Sequence, residues 1–278
     1  MKNLLQSLLL FFLFISFTAS SSIDENEKFL SFLEKEWQWE LAQNPVYATA
    51  MGVKGFETQW PDNSLKGIKL REAHIQDSFV ELKKFDPNSL NRTNQLNLRL
   101  YMQLTQTALS ISEYNRYLFP FNHRGGVQLA HEAVESLPLN TAEDYRFWIE
   151  RLKNLDKRIE QTIPIARLGL EKNYKATRVL MERVYRQIKI QSGQNIADNP
   201  FYQFFKELPS AIPLEEQKAL RKDARKTIKE EIIPSYKLLE EFFKTEYLPQ
   251  TRLTVGLYDT PKGKELYEQL AKSFTTTN

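Results

Sequence analysis

The feature that most constrains this chain is a helix start followed by an unbroken helical stripe. Thr141-Ala142-Glu143-Asp144 offers a hydroxyl and, three residues on, a carboxylate, the pairing that satisfies two orphaned backbone amides at a helix N-terminus. Behind it Tyr145, Trp148, Leu152, Leu155, Ile159 and Ile163 recur at three- and four-residue spacings. That period places them on one face of a helix and on both faces of a strand, so it selects the helix.

The same spacing runs through the rest of the chain, and with only nine glycines in 278 residues it predicts an all-α protein. Phe29, Phe32, Leu33, Trp37 and Leu41 mark a first helix ending before Asn44-Pro45. Pro45 suits the first turn of a short helix through Met51, closed by Gly52. Gly52 to Ser64 reads as a loop, and Leu65, Ile68, Ile75, Phe79 and Leu82 as the inner face of the next helix. Leu96, Leu100, Leu104 and Ile111 give a third stripe, stopped by Pro120.

Ala176 to Gln191 is predicted helical, with Gly193 beyond its end, and the aromatic stretch Asn199–Phe205 to plug a core edge. Pro213 opens a long helix to Tyr247 with a kink near Ile233, because Pro234 lacks a backbone donor and crowds the turn before it. The β signal is confined to Leu253-Thr254-Val255-Gly256-Leu257, at most one short strand pair near 251–258. No repeat or low-complexity linker divides the chain.

Cysteine is absent, which removes disulfides, thiol nucleophiles, thiolate metal sites and a lipid-attachment cysteine. Met1-Lys2-Asn3, the apolar run Leu4 to Phe17 and the small residues Thr18–Ser22 form a secretory signal, cut between Ala19 and Ser22. An uncleaved anchor is the other reading, but the run is shorter than the ~20 residues a spanning helix needs. The expected organisation is thus a signal peptide, 1–22, and a helical domain, 23–278, that is periplasmic or secreted with no membrane contact after cleavage. Thirty-eight basic and 35 acidic residues leave a formal charge of +3, mixed along the chain, and imply no nucleic-acid partner. The run Arg221–Lys226, with Asp223 inside it and Glu230 and Glu231 beyond, reads as a solvated helix face.

Candidate chemistry is sparse. Of three histidines, His74 reads as a surface residue. His131-Glu132-Ala133-Val134-Glu135 has the first half of the His-Glu-x-x-His zinc motif, with Glu135 where the second imidazole would stand. A carboxylate can bind zinc, yet no spacing suggests a third ligand, so surface residues are the better reading. In Asn122-His123-Arg124-Gly125-Gly126 the glycines could expose amides and a guanidinium to a carboxylate or peptide end, or form a tight inter-helix turn, the favoured reading. Asn91-Arg92-Thr93 fits a glycosylation acceptor.

A series of small motifs carries a family resemblance: Asn44-Pro45 with Ala48-Thr49 and Gly52, then Pro61-Asp62, Ser64, Asp144-Tyr145 and Arg151-Leu152. Asn199-Pro200-Phe201, Pro234 with Tyr236, Tyr247 with Pro249 and Arg252, Gly256-Leu257, Pro261 with Gly263 and Tyr267, and Thr275-Thr276-Thr277 follow in order. In this the chain resembles the N-terminal half of the bacterial family called domain of unknown function 885, whose complete members look like helical zinc peptidases.

The resemblance implies an all-α fold, a peptide substrate and zinc for complete members, with the metal held by the half after the Thr-Thr-Thr segment. It supplies no catalytic or metal-binding residue here, and no cofactor for this chain alone. It makes Asn122, His123, Arg124, Tyr247 and Arg252 candidates for contacts along a substrate channel, their other reading being packing and capping. The helix Lys262–Ser273 runs into Thr275–Asn278, residue types that start helices, which suggests the front of a larger protein. The expectation is an exported domain, inactive alone, whose partner is a missing or separately encoded C-terminal half. The alternative is a self-sufficient periplasmic helical binding or scaffold protein.

Overall fold

The computed structural model describes residues 24–275, so the signal-peptide stretch 1–22 and the tail from Thr276 lie outside the described residues. Four helices make the front of the molecule: α1 (Glu25–Gln43), α2 (Pro45–Ala50), α3 (Leu65–Leu82) and α4 (Arg92–Ser112). Pro45 begins α2 and Gly52, at φ +77°, follows its end. Ser64 Oγ accepts from the Gly67 N–H at 3.1 Å, and Asn91 Oδ1 accepts from the Asn94 N–H at 2.9 Å. Both are N-caps of the kind that satisfies a donor the helix cannot. Asn91 of the glycosylation motif is thereby a helix cap. Phe29 and Phe32 of α1 pack with Leu82, Phe85, Leu90 and Leu98 into a small apolar cluster.

On α4 the structure corrects the sequence reading. Leu98 is buried with Asn94 and Thr105, whereas Leu96, Leu100 and Leu104 are 49%, 50% and 66% exposed. Asn94 and Thr105 can point inward because each has a partner, Asn26 Oδ1 at 3.0 Å and the Tyr101 carbonyl at 2.7 Å. Hydrophobic spacing cannot see such pairings, and it chose the leucine face.

The larger cluster is built by α5 (Ala142–Lys153), α6 (Leu155–Glu171), α7 (Arg178–Ser192), α8 (Pro200–Lys206), α9 (Leu214–Thr227) and α10 (Ile233–Phe242). A last helix, α11 (Gly263–Phe274), packs against α4. The capping box at Thr141 forms: its Oγ1 accepts from the Asp144 N–H at 3.3 Å and the Asp144 carboxylate accepts from the Thr141 N–H at 2.7 Å. All six residues of the stripe from Tyr145 to Ile163 are buried, but Asn154, at φ −99° and ψ 11°, divides them between two helices. Phe201, Tyr202 and Phe205 of α8 are core residues. Arg221 and Arg225 of the basic run reach back to brace α8, through the Phe205 carbonyl at 3.0 Å and the Tyr202 hydroxyl at 2.8 Å.

The helical path from Leu214 to Gln250 is interrupted twice by π turns, at Ile228–Ile232 and Phe243–Tyr247. In each, the residue after the turn donates its N–H five residues back, Ile233 to Ile228 and Leu248 to Phe243. Prolines follow at once, Pro234 and Pro249. A proline ring crowds the carbonyl four residues before it and removes a donor, and widening the preceding turn relieves both. The expected disturbance at Ile233 is thus a π turn. Among the described residues β structure is limited to two isolated bridges, and 251–258 contributes one of them, Thr177 with Arg252, instead of a strand pair.

Two outcomes follow from this packing. Gly169 of α6 lies under the Arg116–Leu118 turn, where an added Cβ would stand 2.3 Å from the Leu118 carbonyl oxygen. Alanine gains up to about 1 kcal/mol of helix propensity, but a backbone oxygen cannot rotate away. Gly169→Ala should therefore cost about 1–3 kcal/mol net in a urea melt; a stabilised variant would contradict the packing.

Burial holds the Tyr236 and Tyr247 hydroxyls well above the ordinary 10.0, and burial with the Glu36 carboxylate does the same for Tyr101. Above that ordinary value the unfolded chain releases protons that the folded chain keeps, so stability is full below it and falls as pH rises beyond it. In an alkaline titration these three phenolates should appear only together with loss of helical circular dichroism.

Candidate functional site

Asn122 to Gly125 closes a tight turn, with the Gly125 N–H donating to the Asn122 carbonyl at 3.4 Å and the Arg124 N–H to Asn122 Oδ1 at 3.0 Å. Gly126 follows at φ +117°, a conformation that favours glycine, and a Cβ there would also press on Gln128 Oε1 at 2.7 Å. The turn is tied down from below. Gln128 Nε2 donates to the carbonyls of Asn122 and Gly125 at 2.7 and 2.9 Å, and Gln187 of α7 donates to the His123 carbonyl at 3.1 Å. Arg124 is exposed and His123 half-buried, its Nδ1 enclosed without a partner.

Tyr247 lies at the base of the same region, fully buried against Phe121 and Phe243, with ring centroids 5.2 and 5.1 Å away. Its hydroxyl is enclosed and has no hydrogen-bond partner among the described residues. Arg252 stands at the other end of α7. Its Nε donates to the Lys175 carbonyl at 3.0 Å, its Nη1 to the Thr254 carbonyl at 2.6 Å, and Asp259 lies 3.9 Å away. The structure therefore joins Asn122, His123, Arg124 and Tyr247 through Phe121. Arg252 is roughly 13 Å further along the α7 axis, judged by the rise from Arg178 to Gln187.

The histidines do not assemble a metal site. Val127–Ser136 is a run of 3₁₀ turns, in which residues four apart do not share a face, so the alignment that a zinc helix needs is lacking. His131 is half-buried, with Gln191 Nε2 2.8 Å from its Nδ1 and Phe201 edge-on at 5.7 Å, while Glu132 and Glu135 are exposed. Burial lowers the His131 pKa and Glu135 opposes the shift. His74 is also more than a surface residue: it stacks on Trp39 at 3.6 Å and shares the Glu36 carboxylate oxygen with Ser78 and Tyr101, at 3.0, 2.8 and 2.7 Å. Among the described residues no group of three or more His, Asp or Glu side chains could hold a metal.

A different constellation lies where the Gly52–Ser64 loop crosses α5 and α6. Arg151 of α5 is fully buried, its Nη2 donating to Thr49 Oγ1 and the Phe56 carbonyl, each at 2.7 Å, while Nε and Nη1 have no partner among the described residues. Burial lowers its pKa to about 10, opposed by Glu57. Trp60 Nε1 donates to the Arg151 carbonyl at 2.7 Å, and its ring is 5.7 Å from the Arg151 guanidinium and 4.8 Å from that of Arg158. Arg158, on the first turn of α6, makes no hydrogen bond or ion pair through its guanidinium among the described residues, and its Nε is buried. Burial lowers its pKa as well, opposed by Tyr236. Two clefts lie nearby, one lined by Trp148, whose ring is 6.0 Å from that of Trp60, and one lined by Trp60 itself. One, of about 310 Å³, has Thr49, Glu57 and Trp148 in its wall; the other, of about 380 Å³, has Arg158, Lys157 and Asp62.

Sequence reasoning gave neither arginine a place in a site, with Arg151 standing only in the motif series that carries the resemblance, although a signal existed. They stand seven residues apart and beside Leu152, Leu155 and Ile159, so helical periodicity alone sets both at the edge of the buried face. Nothing in local sequence announces Trp60 as their common neighbour. The loop brings it in from 91 residues away.

A family model described as bacterial protein of unknown function (DUF885) matches residues 45–278. No curated protein matches the sequence significantly. Among solved structures, the crystal structure of the "putative lipoprotein" from Colwellia psychrerythraea is similar at a TM-score of 0.83 and 17% identity, over 92% of this chain and 47% of that one. At that identity the likeness speaks for the fold, and the chain spans about half the length of that neighbour. With the all-α architecture shared and the family model matched over residues 45–278, the chain belongs to the DUF885 family of bacterial proteins.

Proposed function

We propose that this domain is the front half of an exported, metallopeptidase-like protein, that it walls one side of a substrate channel, and that it is inactive until a second half supplies the metal and the reacting groups. The observation that carries the reading is the unequal coverage of the fold: nearly all of this chain matches less than half of its structural neighbour. Export is supported by the lipoprotein designation of that neighbour and by the signal-like stretch 1–22. No helix among the described residues is long and apolar enough to cross a membrane. The metallopeptidase part rests on the resemblance described above.

The surface supports a missing neighbour. Besides the leucine row of α4, Leu253, Val255 and Phe274 are 83%, 74% and 83% exposed. Leaving a leucine half exposed forgoes roughly 1 kcal/mol of burial, so a covering surface over several such residues gains several times that.

The experiment is to purify the chain alone and measure peptide hydrolysis with added zinc, apolar-dye binding and light scattering. The expected result is no hydrolysis, strong dye binding and self-association, with both of the latter reduced in the Leu100→Glu, Leu104→Glu variant. Hydrolysis by the chain without a second component would overturn the reading. A monodisperse chain that binds no dye would favour the self-sufficient scaffold instead.

A further inference from the structure

We infer that the cleft between Trp60 and the start of α6 is a carboxylate-binding site, with the Arg158 guanidinium as its anchor and Lys157 as its second cation. A guanidinium removed from water loses several kcal/mol of hydration unless it is paired, and two such groups, Arg151 and Arg158, lie against one indole. Among the described residues neither forms an ion pair, and Glu57 is the acid whose field reaches Arg151. The indole does not neutralise them, since a cation over a ring recovers a fraction of what hydration supplied.

The walls of the cleft fit an anion. The Arg158 guanidinium carbon lies 4.8 Å from the Trp60 ring centroid, so the ring covers part of the group, and its N–H donors without a partner among the described residues are of the kind that a planar carboxylate matches with two parallel hydrogen bonds. Lys157 is exposed and donates to Asn154 Oδ1 at 2.9 Å, so its ammonium is held near the rim. Asp62 is the one acid in the lining, and it is already engaged: Oδ1 accepts from the Ser64 N–H and from Gln161 Nε2, both at 2.9 Å. Burial raises its pKa, but the Ser64 amide and hydroxyl together with the charges of Arg71 and Lys66 outweigh that and hold the carboxyl below the usual range, so it stays ionised. Arg158 is left with donors and no acceptor. A cavity of about 380 Å³ is roomy enough for a small acid or the last residues of a peptide.

The inference does not depend on a second half of the protein and is tested on the chain as it stands. Calorimetric titrations would compare N-acetyl-trialanine bearing a free carboxylate, the same peptide as its amide, acetate and sulfate. The free acid should bind at least about tenfold more tightly than the amide, the size expected for a charge-assisted pair. A peptide preferred over acetate identifies a chain end as the ligand; equal binding identifies a small acid. Arg158→Gln should abolish the preference for acid over amide. Lys157→Gln, at an exposed position that does not threaten folding, should weaken acid binding about twofold and reduce its salt dependence. Circular dichroism would confirm that each variant is folded. Equal binding of acid and amide, sulfate binding as tightly as the carboxylates, or an unchanged preference in folded Arg158→Gln would each overturn the assignment.

Discussion

The buried row from Tyr145 to Ile163 is the surface against which the rest of the molecule is arranged. Helix α9 packs on α5, α10 packs on α6, and the loop from Gly52 to Ser64 is drawn across both. That loop has no helix of its own and joins the front helices to the larger cluster by polar contacts: Trp60 to the Arg151 carbonyl, Arg151 to Thr49 and Phe56, and Gln161 to Asp62 and the Asn63 amide. Each partner lies about ninety to a hundred residues away in sequence, and each bond to a charged group is worth about 1.5–3 kcal/mol net. The seam between the two apolar clusters is therefore fixed in orientation by directional bonds, while most of the burial energy resides on either side of it.

How much of this was legible in the sequence follows from the range of the interactions. The capping box at Thr141 and the stripe behind it depend on residues within a few turns, and both appear as expected. Asn154 breaks the stripe between two helices because one residue leaves helical geometry without disturbing the apolar period. The α4 face was misjudged because Asn94 and Thr105 are buried through partners that periodicity ignores. For the long helix the disturbance at Pro234 was foreseeable, whereas the π turn that accommodates it, and its recurrence before Pro249, follow from three-dimensional relief of crowding.

The candidate residues divide in the same way. The glycines of the Asn122 turn were readable because backbone conformation is local, and the turn stands where two glycines allow it. Its anchoring by Gln128 and Gln187 was hidden, since glutamine carries no periodic signal and its partners are carbonyls. Tyr247 and Arg252, neighbours in sequence order, separate in space: the first goes under Phe121, the second clamps the start of α7. Spacing along a chain cannot tell a buried phenol from one that lines a channel.

The arginines at the seam raise a question of cost that the fold must answer. An apolar residue of similar size at Arg151 would fill the space without an ionic penalty, and such exchanges of buried charge for apolar groups are often neutral or stabilising. Keeping a guanidinium there, with two of its donors unpaired, means that stability alone does not account for it. Its Nη2 specifies where Thr49 and Phe56 sit, which sets the path of the loop that delivers Trp60. Trp60 and Arg158 together line a cleft whose one acid among the described residues, Asp62, is already bonded. The buried guanidinium of Arg151 thus acts through geometry on the half-buried Arg158: by fixing the loop that carries Trp60 it fixes the ring against which Arg158 rests, and a side chain already held in place loses little further freedom when it takes a partner.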